Sequence, residues 1–140
     1  MIQRIQSLYL LFGAALVVLF LLFGAAWQDT LGAVYTWLTP TALVLGGLTA
    51  LAALVAVFFY KDRQLQRKIV LGAQWLDLAL VLVLVGALAA VSLNDEVALV
   101  ADASLYLSLV LPLVAYVMLR LARRGIEKDI ALVRSMDRLR

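Results

Sequence analysis

Between Arg4 and Asp29 the chain carries no charged side chain, and between Asp29 and Lys61 it again carries none. Runs of that length exceed the roughly 20 apolar residues that a helix needs to cross a bilayer, so they dictate which solvent the fold can tolerate. Over the whole chain 66% of residues are apolar and 15% charged, against about 45–50% and 25% in a typical soluble domain. A soluble domain this small leaves too much of its surface in water to hide so much hydrocarbon. A free cytosolic domain and a disordered chain are both excluded. The expected fold class is an all-α membrane protein: a four-transmembrane-helix antiparallel bundle with a C-terminal amphipathic cytosolic or interfacial helix.

The expected spans are about 8–27, 40–60, 69–93 and 98–121, and a basic amphipathic tail follows over 123–140. Thr39-Pro40 reads as the start of the second span, with threonine as N-cap and proline at the first helical position. Asn94 reads as the end of the third. Pro112 predicts a kink in the fourth, because it removes the hydrogen bond to the Ser108 carbonyl. Gly125 is the expected bend where the tail leaves that span. The first apolar run is longer than the 7–15 residues of a signal peptide, so we expect it to be retained, although Gly24-Ala25-Ala26 offers small residues of the cleavage type.

Orientation follows from the cations. Arg4 precedes the first span. Lys61, Arg63, Arg67 and Lys68 form an eight-residue polar turn between the second and third. Arg120, Arg123, Arg124, Lys128, Arg134, Arg138 and Arg140 follow the fourth. With four spans all twelve fall on one side, while the opposite loops hold Asp29, Asp95, Glu96 and Asp102 and no cation. The positive-inside rule then places both termini in the cytosol. Tryptophan and tyrosine sort into two interfacial belts, with Trp27, Tyr35, Trp37 and Tyr106 at the outer boundary and Tyr9, Tyr60, Trp75 and Tyr116 at the inner one.

Small residues recur within the spans: Gly46, Gly47, Ala50 and Ala53 in the second, Gly86 and Ala90 in the third. They allow the close backbone contact that holds membrane helices together, here expected inside one bundle rather than between two copies.

Asp77 is the one ionisable group well inside an apolar run. A carboxylate at mid-helix costs about 2.5–3.5 kcal/mol on insertion scales, so it should face protein or water. Gln74 lies three residues earlier on the same face, and Tyr116 and Arg120, four apart, face together on the fourth span at similar depth. These four residues form an expected intramembrane polar seam. In one reading Asp77 pairs with Arg120, or accepts a hydrogen bond from Tyr116, and clamps two helices. In the other it is a proton or cation site.

The tail places Ile126, Ile130 and Val133 at helical spacing with Arg134 and Arg138 opposite. Such a helix lies along a membrane surface and attracts anionic lipid, or docks on a protein partner. Its cations are too few and too interleaved with acids for nucleic acid. The chain has neither cysteine nor histidine, which removes thiolate and imidazole chemistry and the commonest metal ligands. No Gly-rich phosphate loop and no Ser-x-x-Lys pattern occurs. No catalytic residue, cofactor or metal site is expected, and the protein is not expected to be an enzyme.

The opening Met1–Leu10 (MIQRIQSLYL), the closing Leu132–Arg140 (LVRSMDRLR), the turn Tyr60–Gln66 (YKDRQLQ) and the stretch Arg124–Asp129 (RGIEKD) resemble a known family. It is the small four-pass membrane family called domain of unknown function 4293, met chiefly in Bacteroidota. The resemblance spans the chain, and its specific segments all fall on the side that the charge argument makes cytosolic. It implies four inner-membrane helices and no assigned activity. We expect Gln3, Arg4, Gln6, Arg134, Ser135, Asp137 and Arg138 to form a cytosolic docking face. The expected function is that of a non-catalytic accessory or assembly subunit of a membrane complex, bound to a membrane-protein partner or to copies of itself. The alternative is a small oligomeric transporter or channel using Asp77.

Overall fold

The computed structural model describes residues 2–24, 27–93 and 103–137, with side chains described over 5–24, 27–93 and 105–136. Four long helices carry the fold: α1 Ile2–Leu22, α2 Leu38–Phe58, α3 Arg63–Leu93 and α4 Ala103–Asp137. A π-helical turn, Gln28–Gly32, lies between α1 and α2. There is no strand among the described residues. All four helices are long and apolar enough to cross a membrane. Each packs against two others, α1 on α2 and α4, and α3 on α2 and α4, so the helices close into a ring.

The helix ends differ from those expected, for local reasons. α2 begins at Leu38, so Thr39 is not its N-cap. Leu38 is fully buried, and its N–H already donates to the Tyr35 carbonyl at 2.9 Å, which starts the winding early. Pro40 still falls in the first turn, where the missing N–H costs nothing. The polar turn is shorter than eight residues, because α3 starts at Arg63. Asp62 makes that possible: its Oδ1 accepts from the N–H groups of Gln64 at 3.1 Å and Leu65 at 3.0 Å, as an N-cap does. The expected end of α3 at Asn94, the acidic loop Asp95, Glu96 and Asp102, and the start of the fourth span near 98 lie outside the described residues.

α4 runs unbroken through Gly125 to Asp137, so the expected bend and separate tail helix are absent. Gly125 serves the packing instead. A Cβ there would fall 2.8 Å from Cγ of Gln6 on α1, so any larger residue would displace Gln6 from its seat between the helices. Pro112 lies inside the same continuous helix, and the nearby Ser108 hydroxyl donates to the Leu105 carbonyl at 2.7 Å.

Along α2 the distribution of residue sizes runs opposite to that of a water-soluble bundle. On α2 the buried positions after Leu38 are Ala42, Gly46, Thr49, Ala50, Ala53 and Ala56. Its outward positions are Leu43, Val44, Leu48, Leu51 and Phe58, the last 79% exposed. On α3 the buried residues Val70, Ala73, Asp77, Leu80, Leu84, Ala87 and Val91 alternate in steps of three and four, the spacing of knobs-into-holes packing. Gly46, Ala50 and Ala53 line the interior as expected, whereas Gly86 faces outward, with nothing within 4 Å of where a methyl group would sit.

The core divides into two clusters. One contains Phe20, Trp27, Leu31, Leu38, Leu80, Leu84 and Leu105; the other contains Leu10, Ala53, Ala56, Val70, Ala73, Leu119 and Ile126. A thin layer of Val17, Ala50 and Ala115 separates them. By register Thr49 and Asp77, both fully buried, fall at this level, Asp77 between Ala73 of one cluster and Leu80 of the other. The belt assignment fails at Trp27, which is fully buried and stacks on Phe20 with ring centroids 5.1 Å apart. The π-helical turn folds it and Leu31 into the bundle end. Trp37, Tyr60, Trp75 and Tyr106 do point outward.

Candidate functional site

Two surface cavities gather Gln74, Tyr116, Arg120 and Arg134 from the residues singled out above. The first lies between α3 and α4. Leu71, Gln74, Trp75 and Leu78 sit at helical spacing along one stripe of α3, and Tyr116, Arg120 and Arg123 along one stripe of α4. Together they line a cleft of about 220 Å³. Gln74 is 5% exposed and its Oε1 has no hydrogen-bond partner. Arg120 is exposed, Tyr116 half-buried, and Trp75 64% exposed. Arg123 forms an ion pair with Glu127 one turn on, at 3.7 Å and too long for a hydrogen bond, so its buried Nε has no hydrogen-bond partner either.

Three of the four seam residues therefore meet around one cleft, and the fourth does not line it. Asp77 is fully buried in the bundle, and neither carboxyl oxygen has a hydrogen-bond partner. It forms no ion pair with Arg120 and accepts nothing from Tyr116. The reason is angular. Gln74 lies where the inward stripe of α3 meets the side turned to α4, whereas Asp77, three residues on, continues down the inward stripe.

The second cavity is an open groove of about 480 Å³ between the α2–α3 turn and the last turns of α4. Lys61, Asp62, Arg63, Gln64, Ile130, Val133 and Arg134 line it. Of the expected docking face, Arg134 belongs to this groove, and Ser135 is exposed, its hydroxyl donating to the Leu132 carbonyl at 2.7 Å. Gln6 is buried instead, turned in against Gly125. The side chains of Gln3, Arg4 and Asp137, and all of Arg138, lie outside the described residues.

Beside Gln6 sits a polar latch that the sequence pattern does not announce. Gln66 is buried and donates from Nε2 to the Ala56 carbonyl at 3.0 Å, closing the last turn of α2 from α3. Arg63 Nε stands 3.1 Å from Asp129 Oδ2, joining the start of α3 to α4 as a charge contact without hydrogen-bond alignment. The available signal is the pair of glutamines, Gln6 and Gln66, each at a helical position otherwise occupied by core residues.

Among known families, the model described as domain of unknown function (DUF4293) matches residues 2–139. No curated protein and no solved structure matches the chain.

Proposed function

The chain belongs to the DUF4293 family, and from its physical chemistry we propose that it is a non-catalytic integral protein of the bacterial inner membrane, an accessory or assembly subunit of a membrane complex. Its four helices stand antiparallel across the bilayer, with both termini and all twelve cations on the cytosolic side. The size inversion of α2 carries the membrane part of this reading. Leucines and phenylalanine outside, alanine and glycine inside, would leave a large apolar surface in water but suit a lipid solvent, where small residues drive helix contact. The subunit part rests on where the polar groups are. Both polar cavities open on the outside of the bundle near its cationic end, positioned to bind something beside the protein.

A second reading has its own observation. Asp77, fully buried with both oxygens unpartnered, is the kind of intramembrane group that marks an ion or proton path. Particle mass in mild detergent separates the two. A heteromeric complex supports the subunit reading, and a closed homo-oligomer supports a transporter or channel built around Asp77. Topology is checked on the cysteine-free chain with Asp29→Cys and Ser135→Cys. An impermeant thiol reagent applied to intact cells labels only the first if both termini are cytosolic.

A further inference from the structure

We propose that the cleft between α3 and α4 is a specific site for an anionic phospholipid whose headgroup carries a hydroxyl, of the phosphoglycerol class. The inference rests on the membrane reading above and adds to it an identified ligand. Three chemistries converge on the cleft. Arg120 and Arg123, three apart on α4, present two guanidinium groups on one side, the arrangement that takes a phosphate through paired charge-assisted hydrogen bonds. Arg123 forms a loose ion pair with the more exposed Glu127 at 3.7 Å, with no hydrogen bond from its Nε, so a phosphate competes with a weak partner.

Opposite them Gln74 offers a buried acceptor, Oε1, with no donor in the protein. A group nine-tenths buried and unpaired is costly, and a headgroup hydroxyl supplies the missing donor once the Gln74 amide turns toward the cleft that it lines. Leu71, Leu78 and the exposed face of Trp75 form an apolar wall for the start of an acyl chain, with the indole at the depth where such rings prefer to lie. At about 220 Å³ the cleft has the volume of about seven liquid waters at roughly 30 Å³ each, room for a headgroup rather than a whole lipid. An ethanolamine headgroup would also bring a donor to Gln74, but as a cation between two arginines. A choline headgroup would bring a cation and no donor. Both are disfavoured by charge.

Depth agrees with the assignment. Arg120 is the first cation after the fourth apolar run, and Gln74 lies six residues beyond Lys68, about 9 Å further along α3 at 1.5 Å per residue. Phosphate against Arg120 and Arg123 puts the hydroxyl-bearing headgroup glycerol across the cleft at Gln74, while the esterified backbone glycerol and first methylenes pass along Trp75 and Leu78. The groove at Lys61 and Arg134 lacks this construction. It is wider and open, one acid lines it, and Arg63 is already engaged by Asp129.

The test is native mass spectrometry of the full chain released from nanodiscs holding equal phosphatidylglycerol and phosphatidylcholine, with phosphatidic acid in a parallel set. The parent protein should retain phosphatidylglycerol in preference to both other lipids. Arg120→Gln with Arg123→Gln should lower that retention by roughly thirtyfold, the effect of two cations at a membrane surface. Gln74→Leu should abolish the preference for phosphatidylglycerol over phosphatidic acid while leaving the preference over phosphatidylcholine. The charge-matched control Arg124→Gln with Lys128→Gln, whose residues do not line the cleft, should change nothing. Equal loss in that control would overturn the site in favour of diffuse charge attraction. Indifference of the folded, membrane-embedded parent to lipid type would overturn it directly, as would displacement of the lipid by soluble glycerol phosphate at equal concentration. Recovery of the parent chain in the soluble fraction would instead overturn the membrane reading, and the site with it.

Discussion

Gln6 lies against Gly125 so closely that a methyl group on the glycine would come within 2.8 Å of the glutamine Cγ and 3.2 Å of its Nε2. The contact joins α1 to α4 near the cationic end and explains why a glycine persists inside a continuous helix. Alanine at 125 gains about 1 kcal/mol of helix propensity but must expel Gln6 from a buried seat. We expect Gly125→Ala to destabilise the bundle by about 1–2 kcal/mol, the usual cost of overpacking. Adding Gln6→Ala should recover most of it. Unfolding in detergent of the two single variants and the double one measures the coupling, and strictly additive effects would refute the contact.

The latch next to this contact separates two kinds of polar interaction. Gln66→Leu leaves the Ala56 carbonyl without its buried donor, and the expected loss is about 1–3 kcal/mol. Breaking the partly exposed Arg63–Asp129 pair should cost less than about 1 kcal/mol and should weaken further with salt. Thermal unfolding of Gln66→Leu and Arg63→Gln at two ionic strengths gives the comparison. A larger loss for Arg63→Gln would reverse the ranking.

Tryptophan fluorescence tests burial and lipid exposure together. The chain has three tryptophans, so single-tryptophan variants are within reach. In bilayers of brominated lipid, emission from Trp75 should be quenched strongly, and emission from Trp27, shielded by its stack on Phe20, should be little affected. Trp27→Ala should also cost about 3–5 kcal/mol, against less than about 1 kcal/mol for the exposed Trp37→Ala. Equal quenching of Trp27 and Trp75 would contradict the packing of the π-helical turn.

Asp77 gives a result opposite to that of a clamp. Because neither carboxyl oxygen is hydrogen-bonded, the near-isosteric Asp77→Asn should leave the bundle at least as stable as the parent, measured as the unfolding midpoint in detergent. A clear loss of stability would restore a structural partner for the carboxylate. Intact stability with altered ion flux in proteoliposomes would favour the transport reading.

The four helices are legible in the sequence because a bilayer-length apolar run is long and hard to mistake. Their inward faces are not, because α2 is apolar almost all round and only residue size, not polarity, distinguishes Ala50 from Leu51. Gln74, Tyr116 and Arg120 can be grouped from depth and spacing alone. Asp77 falls in with them on the same criteria because spacing on one helix gives a face to within a few tens of degrees, and the boundary between the inward stripe and the α4 side lies inside that margin. Trp27 escapes because Asp29, two residues on, reads as the watery end of a span and does not announce a turn that packs into the bundle. Arg63–Asp129 joins residues from opposite halves of the chain, and no local pattern reports such a pair. Gly125 resembles a hinge because glycine is read by its backbone freedom, whereas here its missing side chain is what matters.

α4, being one rod rather than a span with a hinged tail, measures about 52 Å over its thirty-five residues at 1.5 Å each, against a hydrocarbon core of about 30 Å. The surplus stays packed as far as Ile126 and Ile130, and only residues 131–136 are exposed all round. With no break at Gly125, those exposed residues keep a fixed rotational register with Arg120 and Arg123.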